Sequence, residues 1–211
     1  MSAVDYPVSL AVEDFVPVLL TTGGVVLLRR LVAPGWGVAV AAVLIGLGGG
    51  TKATAKLVAA LGGPDLPWLR SLLFPLLTLG FGLLCLELAR LRAGTVPAWL
   101  GYLVPGLTVV CAVSAVLARD PLPMLVSTTV FATLTGIWLI TLARARGDTV
   151  AAALFGLQLL GFFVLGPLAA RPDQTVTLQW IEQLSNTAAQ AAFLIAAWRL
   201  TATARTEEMI R

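Results

Sequence analysis

Residues 38–61 read VAVAAVLIGLGGGTKATAKLVAAL. Apart from Lys52 and Lys56, the stretch holds only apolar or small side chains, and it is as long as the about 20 residues that a helix needs to cross a bilayer. An ionisable group inside a membrane span is costly, so its presence favours a functional role. The two lysines are four positions apart and therefore share one helix face. The stretch predicts a membrane helix that carries a charged site.

The composition extends this interpretation to the whole chain. Of 211 residues, 58% are hydrophobic and 12% are charged, and the mean hydropathy is +0.93. Soluble domains are about one quarter charged, so we expect an integral membrane protein. The polar intervals are short, which predicts one membrane domain over residues 1–211. The first residues carry Asp5 and no Lys or Arg, so we expect no cleaved signal peptide.

Seven segments are apolar and long enough to cross a bilayer, and turn signals separate them. They are residues 9–30, 37–61, 70–91, 97–118, 122–143, 149–169 and 176–199. The fold class expected is therefore an all-α bundle of seven transmembrane helices, with consecutive helices antiparallel because every loop is short.

The basic residues predict the orientation of the bundle, because cytoplasmic loops are enriched in Lys and Arg. One side holds nine arginines and the other holds three. The nine are Arg29, Arg30, Arg90, Arg92, Arg144, Arg146, Arg199, Arg205 and Arg211, and the three are Arg70, Arg119 and Arg171. We therefore expect the N-terminus outside, the C-terminus in the cytoplasm, and a multi-pass location in the inner (plasma) membrane of the cell.

Charged residues gather in the outer half of this predicted bundle. Counting 1.5 Å per residue from the outer helix ends places three acids and three bases within about 14 Å of the surface. They are Glu13, Asp14, Glu182, Lys52, Lys56 and Arg70. We expect Lys52 to pair with Glu182, or with Glu13 or Asp14. Lys56 lies higher, and snorkelling to the headgroups is an alternative for it.

A polar stripe follows the seventh segment. Gln179, Gln183, Asn186 and Gln190 recur at 4-3-4 spacing, which is one helix face, and Glu182 lies beside it. A polar stripe is costly against lipid, so it must face protein or water. It either contributes hydrogen-bonding groups to a pocket or joins helices by hydrogen bonds.

Two further patterns concern helix geometry. Gly46 and Gly50 form a small-xxx-small pair, which favours close helix packing or, alternatively, a loosened helix near Lys52. Pro17, Pro75 and Pro105 lie inside predicted spans, where they can kink helices.

Several classes of site are excluded or disfavoured by composition. The chain has no histidine, which removes His-ligated haem and His-based zinc sites. Cys85 and Cys111 fall in apolar spans and read as buried small hydrophobes. We therefore expect no metal and no cofactor. The net charge of +3 follows membrane orientation rather than a basic face, so we expect no nucleic-acid partner.

These observations predict a pocket for a small polar or anionic solute in the outer half of the bundle, in a binding or transport protein without catalytic residues. Proton coupling is compatible with a lysine beside a carboxylate. One alternative is a membrane enzyme that acts on a lipid or isoprenoid, with Glu13 and Asp14 as acids. Another is a non-catalytic subunit or scaffold in a homo-oligomer or with a membrane partner. A solvated cavity around the charges favours a site, and a sealed arrangement favours a scaffold.

Overall fold

A computed structural model describes residues 7–169 and 175–210, with side chains for residues 7–165 and 175–202. Within these ranges every regular element is helical. The α-helices are α1 (Val8–Glu13), α2 (Phe15–Leu28), α3 (Trp36–Ala60), α4 (Pro67–Ser71), α5 (Leu73–Ala93), α6 (Ala98–Ala118), α7 (Leu122–Ala145), α8 (Thr149–Ala169) and α9 (Val176–Ile210), and a 3-10 turn covers Arg29–Leu31.

Each predicted span coincides with one helix or with a pair of consecutive helices. Five stretches are long and apolar enough to cross a membrane. They are Val8–Leu31, Trp36–Ala60, Pro67–Ala93, Ala98–Ala118 and Leu122–Ala145. The described part of α8 is a shorter apolar helix, Thr149–Leu165, and α9 carries the polar stripe. The all-helical fold class is confirmed, whereas the number of seven spans and their orientation stay predictions. Asp5, Arg171 and Arg211 lie outside the described residues, as does the side chain of Arg205.

The first and third apolar stretches are each interrupted near the end that we predict to be outside. The chain leaves regular α-helix at Asp14 between α1 and α2, and at Leu72 between α4 and α5. Each interruption lies three residues before a proline, Pro17 or Pro75. Because proline has no N–H for the carbonyl four residues earlier, it weakens the turn that precedes it. Pro105 instead lies inside α6.

Six helices form a closed ring. Each helix of the ring packs against the next in the order α2, α3, α5, α7, α8 and α9, and α9 packs against α2 to close the ring. Helix α6 lies outside this ring, where it packs mainly on α7 and less on α5. The arrangement places three helices of the ring before α6 in the chain and three after it.

The apolar core fills the end of the ring that we predict to be cytoplasmic. Leu28, Leu88, Leu139, Phe155 and Leu200 are almost fully buried there. They come from five of the six ring helices, and burial of such side chains stabilises each by about 1.5–3 kcal/mol. The polar residues therefore lie in the opposite half of the ring, next to this closely packed apolar core.

Helix α3 is continuous through its glycines, so they do not unwind it. A side chain at Gly49 would meet Val18 of α2, and one at Gly46 would meet Thr22 of the same helix. These glycines allow α2 and α3 to approach closely, as small residues do at membrane helix contacts. Gly50 is different, because nothing lies within 4 Å of the Cβ position there.

Candidate functional site

A cavity of about 310 Å³ lies at the centre of the helix ring. All six ring helices contribute to its wall. Its polar lining consists of Asp14, Thr21, Lys52, Thr135, Gln158, Gln183, Asn186 and Gln190. The remaining wall is apolar, and it includes Phe81, Phe162 and Phe193. We call this space the central cavity. It brings together several of the residues that the sequence pattern assigned to one site.

Lys52 projects from α3 into the central cavity, and its side chain is exposed there rather than packed between helices. Asp14 and Glu182 are the carboxylates that attract its ammonium group, and Lys56 repels it. Within the part of the chain that the structure describes, no carboxylate lies within ion-pair distance of Lys52 Nζ. The Lys52 ammonium is therefore available to a ligand in the cavity.

The ion pair at this site is formed by the other lysine. Lys56 Nζ lies 2.8 Å from Asp14 Oδ2, and the two side chains are 28% and 11% exposed. This arrangement differs from the expected direct pairing of Lys52. Asp14 lies at the level of Lys56, which is one helical turn nearer the outer end of α3 than Lys52. The pair joins α3 to the junction of α1 and α2.

The polar stripe of α9 is divided between the cavity and the helix packing. Gln183, Asn186 and Gln190 line the central cavity, whereas Gln179 does not. Gln190 Nε2 donates to Asn186 Oδ1 at 3.3 Å, and the Thr21 hydroxyl lies 2.9 Å from Gln190 Oε1. The stripe thus joins α9 to α2 and also presents amide groups to the cavity.

The two adjacent acids of the first apolar stretch have different partners. Glu13 Oε1 accepts a hydrogen bond of 2.6 Å from the Thr187 hydroxyl of α9, and it is absent from the cavity wall. Asp14 lines the cavity and pairs with Lys56. The two carboxylates therefore have separate environments, Glu13 at α9 and Asp14 at α3.

Arg70 lies apart from the central cavity. It forms an exposed ion pair of 2.8 Å with Asp65 and lines a second, larger space of about 590 Å³. We call this space the outer groove. It runs between α4, α5, α6 and α7, and its lining also contains Lys52 and Arg119. Lys52 is therefore shared by the outer groove and the central cavity.

The inner end of the central cavity is closed by apolar side chains. Ile45, Leu139 and Phe193 line it and are buried, and the Phe193 ring packs edge-on against Phe155 at 5.7 Å. Further along α9, Ile195 and Trp198 are exposed, 48% and 57% respectively, and take no part in this closure.

One buried cluster of hydroxyl groups was not predicted. Thr78 Oγ1 of α5 lies 2.9 Å from Ser127 Oγ and 2.8 Å from Thr128 Oγ1 of α7. Both α7 hydroxyls also donate to the Met124 carbonyl. Single Ser and Thr residues are too frequent in membrane helices to identify such a cluster from sequence. It joins α5 to α7 at the level of the outer groove.

A second polar contact lies at the opposite end of the bundle. Asp148 Oδ1 accepts hydrogen bonds from the Ala151 N–H, as an N-cap of α8, and from Arg199 Nη2 of α9 at 3.1 Å. Burial alone would raise the pKa of the Asp148 carboxyl. The Ala151 and Arg199 interactions outweigh burial and hold this pKa below its usual value.

The search for known relatives gives no assignment. The chain matches no protein-family model, no curated protein and no solved structure. In the described ranges, no three His, Cys, Asp or Glu side chains are grouped closely enough to hold a metal ion. Function must therefore be inferred from the cavity and its charges.

Proposed function

We propose that this chain is a seven-span membrane protein that binds a small anionic or polar solute in its central cavity, as a carrier or a receptor. The observation that carries the proposal is the position of Lys52. Its side chain lines a partly open central space of about 310 Å³, while the carboxylate of Asp14 is paired with Lys56.

The chemistry of the wall supports an anionic ligand with hydrogen-bonding groups. Lys52 supplies three N–H donors and a positive charge, and Gln183 and Asn186 supply amide donors and acceptors. A charge within a membrane-spanning bundle is costly unless it is paired or solvated. A bound anion would provide that partner for Lys52, with the amides fixing its orientation. A scaffold role, by contrast, needs no unoccupied space at the charged residues.

The closed inner end distinguishes a carrier or receptor from an open channel. The polar lining ends at Gln190, and Ile45, Leu139 and Phe193 lie at the apolar end. A carrier would have to separate these side chains to release solute into the cytoplasm. A receptor would need no such opening. A site reached from outside agrees with the arginine bias, which favours an external N-terminus in the plasma membrane.

The test is a thermal-shift screen in lipid nanodiscs. Small carboxylates, phosphate and phosphate esters are added to the wild type, Lys52→Met and Lys56→Met. At 100 times its Kd a ligand stabilises the protein by about 2.7 kcal/mol, which for a chain of this size is roughly 5–11 °C. We expect at least one anion to raise the Tm of the wild type but not that of Lys52→Met, and to raise that of Lys56→Met by less than that of the wild type, because Asp14 then competes with the anion for Lys52.

Glu182→Gln serves as a second variant, because Glu182 attracts the Lys52 ammonium and would repel an anion bound beside it. We expect Lys52→Met to impair anion binding more than Lys56→Met, and Glu182→Gln to leave it unchanged or stronger. If no anion stabilises the wild type, or if every anion stabilises the wild type and Lys52→Met equally, the proposal is wrong. The predicted orientation is checked separately by labelling single cysteines at the two ends of the bundle with a membrane-impermeant reagent.

A further inference from the structure

The outer groove has a lining unlike that of a site for a fully water-soluble ion. Its wall is mostly apolar, with Leu73, Phe74, Val116 and Met124 among the lining residues. Cationic groups lie along the same space, at Arg70, Arg119 and Lys52, and Asp120 is the acid in its lining. Such a combination matches a ligand that has both an anionic group and a hydrocarbon part.

The charges of the groove are only partly neutralised. Arg70 is paired with Asp65, and Asp120 accepts the N–H of Leu122 through Oδ1. Arg119 forms no ion pair with the side chains that the structure describes, and it is exposed. Lys52, deeper in the groove, likewise has no carboxylate at contact distance among them. An anionic group entering from Arg119 would thus meet a second available cation at Lys52.

The groove and the central cavity meet at the same residues. Lys52 and Leu73 line both spaces. These two side chains separate a groove on the flank of the ring from the cavity inside it. The flank is the contact between α5 and the peripheral helix α6, which is among the less extensive helix contacts of the bundle. A ligand could therefore reach Lys52 from the side as well as along the bundle axis.

We propose that the ligand of this site is a single-chain amphiphile with an anionic head, drawn from the surrounding bilayer through the outer groove. Its head passes Arg119 and Arg70 and reaches Lys52, and its chain lies along Phe74, Val116 and Met124. This proposal rests on the proposed function, because it names the substrate class of the site at Lys52. The ligand would then be an anion that partitions into the membrane, not one that is freely soluble in water.

The experiment uses the full chain in nanodiscs of a neutral phospholipid, with a nitroxide-labelled lysophosphatidate as the probe. Its phosphate carries about −1.5 to −2 charges at neutral pH. The matched probe is the labelled monoacylglycerol, which has the same chain and no phosphate. Electron paramagnetic resonance measures the protein-immobilised fraction of each probe. We expect the wild type to bind the labelled lysophosphatidate at least about tenfold more tightly than the labelled monoacylglycerol, because only the phosphate forms charge-assisted hydrogen bonds.

Competition separates the contributions of head and chain. Unlabelled oleoyl lysophosphatidate should displace the probe, and glycerol phosphate should need a concentration higher by about a hundredfold or more, because it buries no methylene groups. Equal immobilisation of the two labelled probes would show ordinary lipid contact and overturn the proposal. Equal potency of glycerol phosphate would assign the site to a soluble anion and overturn it as well.

Matched variants locate the site. Val116 and Val113 lie on the same helix, are 76% and 52% exposed, and differ in that Val116 lines the groove. We expect Val116→Trp to weaken lysophosphatidate binding about tenfold or more, and Val113→Trp to leave it unchanged. Arg119→Gln should weaken it to a similar extent, whereas the matched change Arg144→Gln, at the other end of α7, should not.

The outcome for Lys52→Met distinguishes this inference from the broader proposal. Loss of lysophosphatidate binding in Lys52→Met, Arg119→Gln and Val116→Trp supports both. Short anions could stabilise the protein through Lys52 while Arg119→Gln and Val116→Trp leave lysophosphatidate binding unchanged. That result would agree with the proposed function and would refute an amphiphilic ligand in the outer groove. Unchanged lysophosphatidate binding in Lys52→Met means that the head does not reach Lys52, which also refutes it.

Discussion

Replacing Asp14 by Asn removes the carboxylate that pairs with Lys56 but keeps the size of the side chain. At an N–O distance of 2.8 Å, the direct attraction at an effective dielectric constant of about 20 is roughly 6 kcal/mol. Desolvation of both groups offsets most of this. Exposed pairs contribute about 0–1 kcal/mol, and breaking a buried pair costs about 3–5.

Asp14 and Lys56 fall between these limits, since their side chains are 11% and 28% exposed. We therefore expect Asp14→Asn to lower the free energy of unfolding by about 2–3 kcal/mol. The assay is unfolding of the purified protein by sodium dodecyl sulfate in mixed micelles, followed by circular dichroism. A double-mutant cycle with Lys56→Met should give a coupling energy of about 1–2 kcal/mol.

The same cycle with Lys52→Met tests the geometry. Because Lys52 is not in contact with Asp14, its coupling to Asp14→Asn should be smaller by about 1 kcal/mol. The exposed pair of Arg70 and Asp65 is the control, and its coupling should stay below about 1 kcal/mol. Equal coupling of Asp14 to both lysines, or none to Lys56, would refute the assignment of the ion pair.

Four further substitutions test the packing and the inner end of the bundle by the same unfolding assay. Thr78→Val should cost about 1–2 kcal/mol, because it removes a buried hydroxyl from the α5–α7 cluster; an unchanged stability would mean that the cluster contributes nothing. Gly80→Ala should lower the free energy of unfolding by about 1–3 kcal/mol, because the new Cβ would lie 2.6 Å from Ile45 Cγ1. Gly50→Ala is the control, since nothing lies within 4 Å of its Cβ position. It should be neutral or raise the free energy of unfolding by up to about 1 kcal/mol. Asp148→Asn should reduce stability at neutral pH and flatten its acid dependence. The Asp148 pKa is lowered by folding, so its contribution is complete above the ordinary carboxyl pKa and is lost as the pH falls through the folded value; a parallel pH profile in the variant would contradict this.

The helices could be predicted well because apolar length is a local property of the sequence. Predicted residues 122–143 correspond to α7, Leu122–Ala145, and predicted residues 97–118 correspond to α6, Ala98–Ala118. The end of α9 could not be predicted in the same way. That helix continues to Ile210, beyond the apolar segment, because helix formation outside a membrane does not require an apolar sequence.

Of the nine residues that the sequence assigned to one site, four line the central cavity, namely Lys52, Asp14, Gln183 and Asn186. Helix periodicity places Gln183, Asn186 and Gln190 on one face, and that face does line the cavity. Periodicity does not reveal how one helix is rotated against another, so the Asp14–Lys56 pair and the Thr21–Gln190 contact were missed. Counted from the outer span ends, Asp14 and Lys56 lie at the same depth of about 7.5 Å, so depth allowed this pair and the rotation of the helices decided it.

The interruption between α1 and α2 has a consequence for the bilayer itself. The first apolar stretch, Val8–Leu31, has 24 residues, about 36 Å of helix, which is enough for a hydrocarbon thickness of about 30 Å. In a membrane, the carbonyl that Pro17 leaves without its usual donor needs water or a polar group. Water and headgroups are therefore expected to reach into the outer part of this stretch, as far as the level of Asp14 and Lys56.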